Sequence, residues 1–328
     1  MTLRLCVGEE RWPLKEPFEI AGQVMVDLPL VRVELRDGNG CVGRGEAAGV
    51  DYDGETPTSM RAQIEAVAAR LDPATTPADL AALLPRGGAR NALDCALWDL
   101  QAKRSGIPAW VSAGIRPPCP LVTACTIGLG SLSDARRRAR ALSAVPFIKI
   151  KVDRARHVDW IRVVREEAPQ ARLAIDANQS WTGALLESLL PELLALGIEF
   201  VEQPLERGED DALDGLRPPI PIVADESCTD RRSLPALLNR YQGVNIKLDK
   251  CGGLTEALAL AHDARALGLD VMVGNMCGTS LGMAPAFLVG QLARWVDLDG
   301  PLLQVGDRPD AMRYVDGTVE PPTTALWG

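Results

Sequence analysis

Charged residues stand at Lys151, Asp176, Glu202, Asp225 and Lys247, separated by 25, 26, 23 and 22 residues. Asp297 lies 50 residues beyond Lys247, two further steps of 25. Each follows a short apolar run: KIK, AIDAN, VEQP, VADES, NIKLD, VDLD. The interval is one strand plus one helix, and in a parallel barrel the carboxyl ends of the strands point at the active site. One charge after a strand is usually a loop residue or a helix cap. Six in phase mark a site.

Asp176, Glu202 and Asp225 close three adjacent strands. Neighbouring carboxylates repel strongly where the dielectric is low, so they need a cation. All-oxygen donors suit a hard divalent ion and leave positions for water or substrate. Magnesium is the first choice and manganese the second. Lys149 and Lys151 are two apart on one strand and share a face. Lys247 closes the sixth strand, opposite the second in a ring of eight. A lysine acts as a base once its pKa is lowered, and positive charge from a metal and from Lys149 supplies that push. The alternative for the lysines is ion pairing with the metal carboxylates. Lys149 is better suited to polarising a carboxylate than to taking a proton.

A proton next to a carboxylate is very weakly acidic. Its removal gives an enediolate, whose charge a divalent metal stabilises where it develops. A base on one face and an acid on the other invert the centre, which is 1,1-proton transfer.

The elements that position these residues follow from the pattern. With 328 residues, the chain exceeds the ~250 of a typical (β/α)8 barrel, so a barrel plus a smaller domain fits. Strand runs are expected at 121–126, 147–152, 173–176, 200–203, 222–225, 244–247, 271–274 and 295–297, with helical patterns such as 184–196 and 254–267 between them. The fold class is α/β, a (β/α)8-type barrel with an N-terminal α+β capping domain. An open doubly wound sheet is the alternative, without a GxGxxG fingerprint to support it. Residues 1–115 form the expected cap. It has a hairpin (30–35, the turn Asp37-Gly38-Asn39-Gly40, then 41–43) and helices at 59–70, 77–84 and 89–104. Pro117 and Pro118 suit a linker. Residues 116–304 form the barrel, and 305–328 are expected to return to the cap.

Net charge is −9 and the isoelectric point about 5.0, which argues against nucleic acid and anionic membrane as partners. No apolar run reaches the ~18 residues of a membrane span. The opening MTLRLCVGEERW places charges where a signal peptide needs an apolar stretch, so a soluble cytoplasmic protein is expected. Eight cysteines without a CxxC pair read as scattered thiols in a reducing compartment. The two histidines, His157 and His262, fall inside helix-like segments, which argues against a Ser-His-Asp triad or a histidine zinc site.

KIK (149–151), DAN (176–178), EQP (202–204), ADES (224–227), KLDKCGG (247–253) and ALWDL (96–100) together resemble the muconate lactonizing subgroup of the enolase superfamily. That superfamily uses a lysine or histidine base with magnesium. The mandelate racemase subgroup carries a histidine after strand 7, where this chain reads VGNMCG. Within the subgroup, DLDGP at 297–301 is similar to the DxD motif of dipeptide epimerases, which holds the substrate's amino terminus. Asp297 and Asp299 share a face and sit across the ring from the metal. A molecule with a carboxylate at one end and an ammonium at the other, such as a dipeptide, spans that distance. The resemblance also implies a substrate contact at Thr126 and leaves a homo-oligomer open. Alternatives are an o-succinylbenzoate synthase or cycloisomerase, an N-acylamino-acid racemase, and a catalytically silent metal-dependent binding protein. Two loops depart from the pattern. FEIAGQVM (18–25) lacks the arginine that Ala-Glu epimerases place there, so Ala-Glu is expected to be a poor substrate. GVDYDGETP (49–57) carries Asp51, Asp53 and Glu55, which either favour a cationic side chain or form a solvated turn.

Overall fold

The computed structural model describes residues 3–20 and 23–328. Strands β1 (Arg4–Ile20), β2 (Gln23–Arg36) and β3 (Val42–Ala47) form an antiparallel sheet in that order. The expected hairpin joins β2 to β3. At its turn the Asp37 carboxylate accepts from the amides of Asn39 and Cys41, both at 2.9 Å. Gly40 supplies the left-handed residue, with φ +88°. The helix Gly88–Ser105 lies flat on β3, because Gly43 and Gly45 carry no side chain where its backbone passes. Between them, Val31, Val33, Leu35, Leu93, Ala96 and Leu100 make a buried core.

A second sheet holds eight parallel strands after the short β4 (Leu121–Val122). They are β5 (Cys125–Ile127), β6 (Phe147–Lys151), β7 (Arg172–Asp176), β8 (Ile198–Glu202), β9 (Ile222–Ala224), β10 (Gly243–Ile246), β11 (Asp270–Val273) and β12 (Trp295–Val296), in sequential order. The Ala124 amide donates to the Val296 carbonyl at 2.8 Å, which joins the two edges and closes the ring. Seven of the eight expected strand runs appear in place. The run 121–126 is divided: Leu121–Val122 pairs antiparallel with β14 (Thr318–Val319), whose hairpin partner is β13 (Tyr314–Val315). Thr123 makes the break. Its amide donates to Gly317, and its hydroxyl accepts from the Leu298 amide at 2.8 Å. His157 is also placed differently from expectation. It caps the helix Val158–Glu167 from outside, its Nδ1 accepting from the Val158 amide.

Alternation sorts the barrel side chains. Ile148, Ile150, Ile175, Val201, Ile246, Val271 and Val273 face the helices. Ala124, Phe147, Ala174, Phe200, Val223, Met272 and Trp295 fill the barrel floor as one layer. Phe200 packs edge-on to Phe147 with ring centres 6.3 Å apart and lies 4.6 Å from the Trp295 ring. Phe200→Ala is expected to lower stability by about 3–5 kcal/mol, read as a lower urea midpoint at unchanged slope.

The last residues lie against the helix Gly88–Ser105. The Trp327 indole donates to the Cys95 carbonyl at 3.0 Å, and the Gly328 amide to Asp99 at 2.8 Å. Among the described residues, no helix is long and apolar enough to cross a membrane.

Candidate active site

One step above the aromatic floor, the same alternation turns Thr126, Lys149, Asp176, Glu202, Asp225, Asn245 and Asp297 inward. The next step brings Lys151, Lys247 and Asp299. All the residues expected at the site therefore meet at one end of the barrel.

Asp176, Glu202 and Asp225 are buried, each offering an oxygen within 4.8 Å of the others. Lys149 sits among them, its Nζ 2.7 Å from Glu202 Oε2, 2.8 Å from Asp297 Oδ2 and 3.2 Å from Asp176 Oδ2. Burial alone would lower its pKa; Asp297, Glu202 and Asp176 outweigh that and hold the ammonium well above its ordinary value. Lys151 Nζ lies 2.6 Å from Asp176 Oδ2 and 3.0 Å from Asn178 Oδ1. Lys247 Nζ lies 2.6 Å from Asp225 Oδ2. Here too the carboxylate charges, Asp225 first, outweigh burial and raise the pKa.

The cluster fits a cation. Burial, then the charge of Asp176, pushes the Glu202 carboxyl well above the usual range. Asp176 and Asp225 stay ionised because lysines beside them overcome the cost of burial. Glu202 Oε2 has the Lys149 ammonium at 2.7 Å as its partner. Three carboxylates this close, with Glu202 driven toward protonation, call for further positive charge. The all-oxygen donor set matches a hard divalent ion.

A cavity of about 590 Å³ opens above this layer. Lys149, Lys151, Lys247, Thr126, Asn178, Glu226, Asp297 and Asp299 line its base. The cap supplies the roof with Phe18, Val24, Met25, Val26, Asp51 and Tyr52. Both loops singled out in the sequence thus reach the cavity, although Ala21 and Gly22 of the first lie outside the described residues. Of the three acids in the second loop, only Asp51 lines the cavity. Asp53 pairs with Arg207 at 2.8 Å. Glu55 turns inward, accepting from the amides of Val50 at 2.8 Å and Gly88 at 2.9 Å. It is half-buried and does not line the cavity.

Asp299 accepts from the Thr126 amide at 2.7 Å. Burial first, then Asp297, pushes its carboxyl up to about 7. Asp297 Oδ1 takes no hydrogen bond.

Four further residues belong to the site, Asn245, Lys250 and Glu226 buried and Asn178 half-buried. Asn245 donates to Glu202 Oε1 at 2.8 Å. Lys250 Nζ lies 2.5 Å from Asp225 Oδ1 and 3.0 Å from the Asn245 carbonyl. Asn178 and Glu226 line the cavity. Strand parity marks Asn245, two residues before Lys247. The other three lie inside KLDK, DAN and ADES, but nothing local marks them as inward.

Residues 2–111 match the mandelate racemase/muconate lactonizing enzyme N-terminal domain, and residues 132–325 match the enolase C-terminal domain-like family. The chain belongs to the enolase superfamily. It is similar to an L-Ala-D/L-Glu epimerase of Escherichia coli (strain K12), 40% identical over 95% of this chain and 97% of that protein. It is also similar to an N-acetyl-D-glutamate racemase of a Pseudoalteromonas species, 44% identical over 75% of this chain and 78% of that protein. Among solved structures, an enolase family member from Agrobacterium tumefaciens with homology to dipeptide epimerases superposes with a TM-score of 0.97 at 41% identity. The match covers 99% of this chain and 100% of that one, which holds sodium and L-Ala-L-Glu.

Proposed function

We propose that the protein is a magnesium-dependent dipeptide epimerase, an isomerase acting at the α-carbon of the dipeptide's C-terminal residue. One observation carries the reading: Lys151 and Lys247, from strands four apart in the ring, border one cavity directly above the three-carboxylate cluster. Asp176, Glu202 and Asp225 would hold the cation, which supplies electrostatic stabilisation to the substrate carboxylate as negative charge develops there. Lys151 takes the α-proton on one face while Lys247 delivers one on the other, and the roles exchange in the reverse direction. Lys149 stays charged and polarises the carboxylate. Asp297, which Lys149 joins to the carboxylate cluster and which does not stand across the ring from it as expected, and Asp299, beside Thr126, bind the substrate's ammonium. Manganese serves as a substitute ion.

A second reading, racemisation of an N-acylamino acid, shares the reacting group: a carbon between a carboxylate and an acylated nitrogen. Two observations favour it. Lys149 already neutralises Asp297 at 2.8 Å, and Asp299 is pushed up to about 7, so less negative charge is left for an ammonium. The Pseudoalteromonas relative is named for such a substrate.

N-acetylation of the substrate separates the two. If the aspartates bind an ammonium, replacing L-Ala-L-Xaa by its N-acetyl form removes a charge-assisted contact of roughly 1.5–3 kcal/mol, a loss of about 10–100-fold in kcat/KM. An N-acetylamino acid turning over as fast as the dipeptide selects the second reading. No arginine lines the described part of the cavity, as the loop composition led us to expect. Relatives of 40–44% identity are nonetheless named for glutamate. The missing loop arginine therefore carries no exclusion of Ala-Glu, which heads the substrate panel beside N-acetylglutamate.

A further inference from the structure

The turn after β7 holds two consecutive residues in the left-handed region, Asn178 at φ +41° and Gln179 at φ +66°. Asparagine is one of the few side-chain-bearing residues that accept this conformation readily. The turn is fixed by three hydrogen bonds. The Asn178 amide donates to Asp176 Oδ1, the Gln179 amide to the Gln203 carbonyl, and the Ser180 amide to the Ala177 carbonyl, each at 2.9 Å. The Asn178 side chain is therefore launched from a rigid base.

Its amide faces Lys151, with Oδ1 3.0 Å from Nζ. An ammonium has only donors, so the atom meeting it must be the amide oxygen, and the amide NH2 must point the other way. There Nδ2 meets Glu226 Oε1 at 3.5 Å. Glu226 is 4% exposed, and its second oxygen takes no hydrogen bond. Lys247 differs: among the described residues its Nζ hydrogen-bonds Asp225 alone, at 2.6 Å.

The other partner of Lys151 is Asp176, one of the three proposed cation carboxylates. With Asp176 committed to a cation, Asn178 is the remaining acceptor that directs the lysine. We propose that Asn178, oriented by Glu226, is a positioning residue that aims Lys151 at the α-carbon and so serves one face of the substrate only. The proposal rests on the two-lysine reading above. A side chain that merely shaped the loop would affect both faces alike.

The test is α-proton exchange in D2O, followed by NMR for each stereoisomer of one turned-over substrate. Wild type is compared with Lys151→Ala, Asn178→Gly and Asn178→Asp. Glycine accepts the positive φ, so Asn178→Gly removes the side chain and spares the turn. A misdirected lysine costs roughly 100-fold. That loss is expected in Asn178→Gly for the isomer whose exchange Lys151→Ala abolishes, with little change for the other. The ratio between isomers in one sample does not depend on how much protein is folded. Asn178→Asp keeps an acceptor for Lys151 but replaces the NH2 group that meets Glu226 with a repelling oxygen, so a smaller loss confined to the same isomer is expected. Asn178→Ser, too short to reach Nζ, gives the same readout where the glycine variant is insoluble. An unchanged ratio in the glycine or serine variant overturns the proposal. So does a loss confined to the isomer that depends on Lys247. Wild type exchanging neither isomer of any panel member defeats the two-lysine reading itself, and the role of Asn178 with it.

Discussion

Asp225→Asn, Glu202→Gln and Asp176→Asn are each expected to lower turnover by more than about 1000-fold, since the metal's charge stabilisation is worth several kcal/mol and each 1.36 kcal/mol is tenfold in rate. The substitutions are nearly isosteric and keep hydrogen-bonding capacity, so the barrel should persist. Each removes one negative charge from oxygens lying within 4.8 Å of one another. Magnesium affinity should fall in parallel, measured by calorimetry on the folded variants. In Asp225→Asn the effect has a second source. Lys247 at 2.6 Å and Lys250 at 2.5 Å both lose their carboxylate, leaving two buried ammonium groups poorly compensated. Asp225→Asn is accordingly the variant expected to lose most stability. Full activity of wild type in excess chelator would contradict the metal assignment.

Lys151→Ala and Lys247→Ala should each stop epimerisation, because one face loses its acid or base. General acid–base catalysis is worth roughly 10²–10⁴-fold, and two-sided transfer has no route around a missing side. Exchange without inversion should survive on the intact face. Lys151→Ala should still wash deuterium into the isomer facing Lys247, and Lys247→Ala should show the opposite selectivity. Lys149→Ala should impair both isomers alike, since its 2.7–3.2 Å contacts with Glu202, Asp297 and Asp176 place it in the shared base of the cavity. Unimpaired epimerisation by either single variant would end the two-lysine mechanism.

Much of this site was legible in the chain because its cause is local. Two-residue alternation along a strand and a 22–26-residue βα interval suffice to bring Lys151, Asp176, Glu202, Asp225, Lys247 and Asp297 to one end of a parallel barrel. Most of what was missed depends on contacts distant in sequence. Leu121 and Val122 read as the start of a barrel strand, and only the hairpin at 314–319, almost 200 residues later, draws them away. Glu55 reads as a surface acid until the amide of Gly88 claims it. Lys250 follows the strand-end lysine by three residues, and its inward turn depends on Asp225, on the neighbouring strand end, as well as on the Asn245 carbonyl just before it. His157 caps a helix that its own sequence would equally well begin.

The most direct measurement incubates one pure stereoisomer with enzyme and magnesium in D2O and follows the α-hydrogen of the inverted product from its first appearance. If two lysines act from opposite faces, the proton removed by one never reaches the other face. The product then carries solvent deuterium from the earliest turnover, with each isomer as starting material. Inverted product that retains the substrate's own α-hydrogen would contradict opposed lysines.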